Sequence, residues 1–182
     1  MKAIVIFYLL FICFFANSQN KFLTKTGEVI FEASVPSFEE VKADNKAVTA
    51  IINTENGEFA SLILVKGFRF KNALMEEHFN ENYAESNKYP KATFKGVIDD
   101  FDVSELSNDV IHKTIHGTMT FHGQSKKLDD VKLSLSKKGN SIFMTGNFMM
   151  KASDYNIEIP KIVSNKVTNE VQVDFEFQLI KN

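Results

Sequence analysis

Apolar and polar residues alternate with a period of two along much of the chain. The clearest case is the C-terminal segment, where polar residues separate Val171, Val173, Phe175, Phe177 and Leu179. Successive side chains of a strand point to opposite faces, so this pattern predicts a strand with one dry face and one wet face. Similar alternation predicts further strands at 20–26, 28–35, 45–55, 58–70, 91–101, 110–122, 126–137 and 140–150, with 168–180 as a ninth.

Turn-forming residues separate several of these predicted strands. Glycine occurs in each of four such segments, which are Thr26–Glu28, Glu55–Gly57, His122–Gln124 and Lys138–Asn140. Long strands that are joined by hairpins and carry one apolar face are typical of an up-and-down barrel or a long sandwich. We therefore predict an all-β fold, an antiparallel barrel of about eight strands. A barrel of that size is just wide enough to hold one small ligand.

One segment breaks the strand pattern. Met75, Phe79 and Tyr83 are spaced at i, i+4 and i+8, so they form a single apolar stripe on a helix. Pro90 disfavours helical geometry at Tyr89 and ends any helix before it. The spacing predicts one short amphipathic helix, which serves either as a lid on the barrel or as a packing helix between two hairpins.

The first eighteen residues are typical of a signal peptide. Lys2 supplies a positive charge, residues 4–15 form an apolar run, and Ala16–Ser18 offers small residues for cleavage. The apolar run is too short for a membrane-spanning helix, so we expect no stable membrane anchor. This predicts a periplasmic or secreted protein whose residues 19–182 form a single domain.

Composition narrows the functional classes further. The one cysteine, Cys13, lies in the predicted signal peptide, so residues 19–182 can form no disulfide. The formal net charge of −2 gives no support for binding nucleic acid or an anionic membrane. The 18 phenylalanines and the absence of tryptophan suit either a large core or an apolar cavity.

Three histidines invite a metal site. His112, His116 and His122 share one face of the predicted strand 110–122. Strand residues four apart are separated by about 13 Å, which is too far for them to bind one ion. We therefore predict that these histidines lie on the outer face of the barrel and that the protein holds no metal.

An enzyme interpretation draws on Asp154, Tyr155 and His78, and it requires these side chains to converge within hydrogen-bond reach of one pocket. The sequence contains no glycine-rich phosphate loop, zinc signature or dinucleotide fingerprint. We therefore predict a protein that is not an enzyme and that carries no cofactor.

Three segments, in order and spacing, carry a family resemblance. They are Met75–Phe94, Ile115–Lys127 and Phe148–Pro160. Together they resemble the YceI-like family of bacterial periplasmic, polyisoprenoid-binding proteins across roughly residues 65–180. Asn156 stands where that family has glycine, and asparagine reaches left-handed backbone geometry more easily than most residues.

The resemblance implies a lipocalin-like barrel whose lumen holds an isoprenoid tail. It implies binding of a polyisoprenoid or isoprenoid quinone, as a carrier, store or scavenger in the cell envelope. If the odd-numbered face of 111–121 points inward, the apolar lumen is lined by Phe79, Tyr83, Phe94, Ile98, Ile111, Ile115, Met119, Phe121, Phe148, Met150, Val173, Phe175 and Phe177.

An alternative stays open. The same side chains can fill a solid core, and the protein would then be a non-catalytic structural or interaction module with a stress-protective or partner-binding role. A polar outer face bearing threonine and histidine motivates this interpretation, and an internal tunnel would count against it.

Overall fold

The computed structural model describes residues 20–35 and 39–182, and these form one antiparallel sheet of nine strands. The predicted signal peptide lies outside the described residues. The strand bounds are β1 Lys21–Ser34, β2 Lys42–Asn53, β3 Glu58–Leu64, β4 Arg69–Phe70, β5 Lys91–Ile98, β6 Ile111–Phe121, β7 Gln124–Lys138, β8 Ser141–Lys151 and β9 Val167–Lys181.

The sheet closes on itself. Its order is β1-β9-β8-β7-β6-β5-β3-β2, and β1 pairs with β2 as well as with β9. The short β4 pairs only with the beginning of β2, through Ala43–Phe70 and Asp44–Arg69. This confirms the prediction of an antiparallel barrel of about eight strands.

The first strand corrects the sequence prediction. Residues 20–26 and 28–35 are not two strands joined by a turn, because β1 runs without a break from Lys21 to Ser34. Its register against β2 shifts on both sides of Gly27, between Thr24 and Val29. Glycine in a strand often marks such a bulge, which bends the strand. The turn-like sequence around Gly27 therefore encodes curvature of the barrel wall.

The predicted strand 58–70 is also corrected, because β3 ends at Leu64. A 3₁₀ turn at Val65–Gly67 follows and redirects the chain into β4. The buried Asn45 amide donates a hydrogen bond of 3.0 Å to the Leu64 carbonyl oxygen. A Cβ at Gly67 would lie 2.6 Å from Asn45 Nδ2, so only glycine lets the turn pack this closely.

The β6–β7 hairpin shows why its turn residues are His-Gly. Phe121 pairs with Gln124, so His122 and Gly123 make up the whole loop. Both have positive φ, 47° and 74°, as a type I′ turn requires. The expectation for Asn156 is confirmed as well: it adopts φ 55° and ψ 34°, in the left-handed region, after the 3₁₀ turn Ala152–Tyr155.

The ladder between β7 and β8 is incomplete. It runs from Lys138–Ser141 as far as Leu133–Gly146 and, among the described residues, has no pair beyond that point. From there β7 continues on β6 alone and β8 on β9 alone. The 3₁₀ turn Ala152–Tyr155 follows β8 and contacts β7. β7 and β8 therefore separate at the end where residues 124–132 and 147–151 lie.

Candidate apolar ligand site

The barrel encloses an apolar cavity of about 470 Å³ at the end where β7 and β8 separate. Ligand pockets in proteins typically measure about 300–1,000 Å³. Side chains from β1, β3, β4 and β5–β9 line it, together with the helical segment, the 3₁₀ turn Ala152–Tyr155 and the loops at residues 39–41 and 157–166. Polar lining side chains on the helical and loop segments and at the first residues of β9 include Glu39, Asn72, His78, Lys166 and Thr168, and the strands contribute Ser61 and Thr93.

The predicted amphipathic helix lies at this end of the barrel. Helix α1 spans Ala73–His78, and its Asn72 cap accepts a hydrogen bond from the Leu74 amide at 2.9 Å. It continues as a π-helical turn, Phe79–Tyr83, in which the Ala84 amide bonds the Phe79 carbonyl at 2.8 Å. Met75, Phe79 and Tyr83 all line the cavity. The helical segment Ala73–Tyr83 therefore forms part of the cavity wall, and we call this segment the lid.

An aromatic cluster joins the helical segment to the barrel. The ring centroid of Phe79 lies 5.2 Å from that of Phe31, 5.8 Å from Phe68 and 5.3 Å from Phe70. Aromatic pairs at these separations contribute beyond the area they bury. Glu76 adds a polar contact, since its carboxylate accepts a bond of 2.9 Å from Arg69 Nη1. These contacts hold the lid against β1 and β4.

His122 links the far end of the lid to two other segments. Its Nδ1 lies 2.8 Å from the Tyr155 carbonyl oxygen, and its Nε2 lies 2.8 Å from Glu85 Oε2. A carbonyl and a carboxylate both accept, so the two bonds form together when both ring nitrogens carry a proton. The Tyr89 ring packs edge-on at 4.5 Å. His122 thereby fastens the segment after the lid to the β6–β7 turn and to residues 152–155.

This position corrects the prediction that all three histidines decorate the outer face. His112 and His116 are exposed, whereas His122 is buried with 8% of its surface accessible. The cause is the hairpin, because a positive φ at His122 ends the strand alternation there and turns the ring inward. Among residues 20–35 and 39–182, no group of three metal-ligating side chains is close enough to hold an ion.

The cavity occupies only half of the barrel. On β6, β7, β8 and β9 the lining stops partway along the strand. The innermost lining residue and the first apolar residue beyond it are Ile115 and Ile111 on β6, Leu133 and Leu135 on β7, Met144 and Ile142 on β8, and Phe177 and Leu179 on β9. We call the lined part the hollow half and the remainder the solid half.

The solid half is packed as an ordinary core. Ile52, Leu135, Ile142 and Leu179 have no accessible surface. The loop at residues 99–110 covers this end, and the Lys137 amide bonds the Ser107 carbonyl in that loop at 2.7 Å. Protein interiors of this kind leave no room for a ligand.

Most residues predicted to line the lumen do lie at the cavity. On the lid and on β5 and β6 these are Phe79, Tyr83, Phe94, Ile115, Met119 and Phe121. On β8 and β9 they are Phe148, Met150, Val173, Phe175 and Phe177. Ile98 and Ile111 are a correction. Both point inward but belong to the solid half, because strand alternation identifies the inner face without indicating how deep the cavity reaches.

Two groups stand out among the lining residues that sequence reasoning missed. Val29, Phe31 and Phe59 lie on β1 and β3, outside the three segments that carry the family resemblance. Ile157 and Val163 lie between β8 and β9, in a segment without any periodic pattern. The alternation of Val29 and Phe31 was a usable signal for the first group.

The side chains of the enzyme interpretation do not form one site. His78 lines the cavity, whereas Asp154 is exposed and Tyr155 is buried outside the cavity lining. Burial, with a smaller contribution from Asp154, raises the pKa of Tyr155 to about 12. Its hydroxyl has no hydrogen-bond partner among the described residues. A neutral phenol packed in this way has no base to activate it.

Fold and cavity together define the class: a closed antiparallel β-barrel with an internal apolar cavity. None of the helices in residues 20–35 and 39–182 combines the length and apolar character needed to cross a bilayer. The model of the YceI-like domain matches residues 18–179, and the chain therefore belongs to the YceI-like family. This match extends well beyond the segment 65–180 and takes in β1 and β2.

Solved structures share this fold. A polyisoprenoid binding domain from Saccharophagus degradans has a TM-score of 0.77 and 18% identity, and the match covers 90% of this chain and 99% of that one. Burkholderia cenocepacia BcnA gives 0.68 and 18%, covering 85% and 96%. The Campylobacter jejuni YCEI protein gives 0.65 and 16%, covering 81% and 89%. A search of curated proteins found no match.

Proposed function

We propose that this protein binds a long apolar amphiphile, of the polyisoprenoid or isoprenoid quinone type, in the hollow half of its barrel. The observation that carries the proposal is the cavity of about 470 Å³, which is lined mainly by aliphatic and aromatic side chains. The Saccharophagus degradans domain of the same fold, which is described as polyisoprenoid-binding, supports this ligand class.

The energetics favour a tail without polar groups. Burying one methylene contributes about 0.8 kcal/mol, so a five-carbon unit contributes roughly 3–4 kcal/mol before costs. Ordering the tail and losing its free motion removes much of that gain. When the tail lies in the cavity, the polar lining side chains His78, Lys166 and Thr168 are available to contact a polar head group.

The proposed role is that of a carrier, store or scavenger in the cell envelope. It supposes that residues 1–18 direct the chain to the periplasm or the exterior, and cell fractionation with an antibody tests this. No catalytic step is proposed, because His78, Asp154 and Tyr155 do not share one pocket. A solid structural module would not need the hollow half, so the cavity counts against the structural alternative.

The direct test is purification without detergent, followed by solvent extraction and mass spectrometry of the bound lipid. Titration of the emptied protein with all-trans isoprenoid alcohols and isoprenoid quinones completes it. We expect Val173→Trp, which fills the cavity, to abolish binding. The control Gln172→Trp places the same ring on the exposed face of β9 and should bind normally. Protein that carries no lipid and binds none of these probes contradicts the proposal.

A further inference from the structure

Four phenylalanine rings lie in a continuous row across the base of the cavity. The centroid distances are 6.3 Å from Phe94 to Phe59, 5.6 Å from Phe59 to Phe177 and 5.5 Å from Phe177 to Phe175. All four rings line the cavity. They come from β5, β3 and β9, and the fully buried aliphatic side chains of the solid half lie beyond them. We call this row the aromatic floor.

Glycines provide the space for three of these rings. A Cβ at Gly27 would lie 2.4 Å from Phe177 Cδ1, and one at Gly146 would lie 2.5 Å from Phe175 Cζ. At Gly117 the distance to Phe94 Cζ would be 2.6 Å. Real Cβ atoms do not approach other atoms this closely. The rings therefore lie back against the wall, in the space that side chains would take, and leave the lumen above them open.

We propose that the aromatic floor limits the length of the tail that the cavity accepts, an inference that rests on the proposed function. Along β9 the lining extends from Val167 to Phe177. Ten residue steps span roughly 33 Å of strand, or about 25 Å along the axis at the usual tilt of barrel strands. A tail that reaches the aromatic floor therefore occupies this whole length of the cavity.

The floor predicts a characteristic dependence of affinity on tail length. Each methylene that enters the hollow half tightens binding by about fourfold. Carbons added after the tail has reached the floor stay at the mouth and contribute little, so affinity rises with length and then levels off. A cavity that continued through the barrel would show no such break.

The test measures the affinity of the purified protein for all-trans isoprenoid alcohols of two to six five-carbon units, by calorimetry or displacement of a fluorescent apolar probe. Phe177→Ala removes a ring of the floor, and we expect the break to move to a tail about one unit longer. Gly27→Ala pushes the same ring into the lumen, and we expect a tail about one unit shorter. Gly27 is the suitable glycine because its nearest contacts are ring atoms and the nearest backbone atom is 3.2 Å away.

The control is Ile142→Val, which removes a methyl from the solid half on β8. It should lower the melting temperature and leave the break where the wild type has it. Thermal melting of every variant establishes that it folds, and Phe177→Leu replaces Phe177→Ala if the latter does not fold.

The outcomes separate this inference from the function on which it rests. Opposite shifts in the two floor variants, with no shift in the control, support the floor as the limit. Tight binding with the same break in all variants, or with no break, overturns the floor and leaves the function intact. A wild type that binds none of the alcohols overturns both.

Discussion

The hollow and solid halves of the barrel are built from the same strands and differ in what fills them. In the solid half the inward side chains, such as Leu135 and Ile142, meet one another and lose all accessible surface. In the hollow half side chains such as Phe148 and Leu128 face a cavity and stay partly exposed, whereas the innermost lining residues, such as Met144, are fully buried. We therefore expect stability to depend mainly on the solid half and the proposed function on the hollow half.

The largest expected effect comes from truncating a leucine in each half. Leu135 and Leu128 lie on β7, one in each half. Leu135→Ala should cost about 2–5 kcal/mol of unfolding free energy, because it opens a void in a filled core. Leu128→Ala should cost about 1 kcal/mol, because that side chain already borders a void. Chemical denaturation measures both, and equal losses would remove the distinction between the halves.

A bound ligand should reduce the difference. An isoprenoid alcohol at a hundred times its dissociation constant should add about 2.7 kcal/mol to the unfolding free energy. The added protection should concentrate in the hollow half, because the tail contacts only that half. Hydrogen exchange should show slower exchange near Phe148 and little local change near Ile142. Stronger local protection of the solid half would contradict the placement of the ligand.

Substitution of His122 tests whether its hydrogen bonds stabilise the hollow half. His122→Phe leaves the Glu85 carboxylate and the Tyr155 carbonyl without this donor, which should cost about 1–3 kcal/mol. The matched control is His112→Phe, because His112 is exposed and meets only Ser134, at 3.2 Å. The control should change stability by about 0.5 kcal/mol or less. Thermal melting compares the two variants, and equal effects would show that the His122 hydrogen bonds do not stabilise the protein.

The smallest effect concerns Tyr155, which is fully packed although it lies near the hollow half. Burial disfavours its phenolate and raises its pKa from 10.0 to about 12, so the folded state holds this proton more tightly than the unfolded state. The resulting stability is complete below about pH 10 and is lost as the pH rises toward 12. The difference in ultraviolet titration between wild type and Tyr155→Phe should show no tyrosinate at pH 10. Ionisation near pH 10 would mean that water reaches the ring.

Strand periodicity predicted most of the architecture and the inner face, because a period of two sorts side chains by face wherever a strand is regular. It did not predict the depth of the cavity, and Ile98 and Ile111 show why: they alternate in phase with true lining residues. Depth depends on which rings meet across the barrel, as Phe59 and Phe177 do, and such contacts join distant parts of the chain.

Irregular backbone explains the other differences. Gly27 resembles a turn residue in sequence but forms a bulge, and His122 leaves the strand pattern because its φ is positive. The loop residues Ile157 and Val163 reach the cavity without any periodicity. Each of these positions is determined by tertiary packing, which a local pattern does not record.

The interrupted ladder between β7 and β8 leaves part of a strand edge open. Unpaired edges invite other chains to add strands, and proteins commonly protect them with charged side chains. The segment of β7 along the gap carries such charges, namely Lys126, Lys127, Asp129, Asp130 and Lys132. We therefore expect these charges to disfavour aggregation through the open edge. Replacing them with uncharged residues should favour self-association long before it changes what the cavity holds.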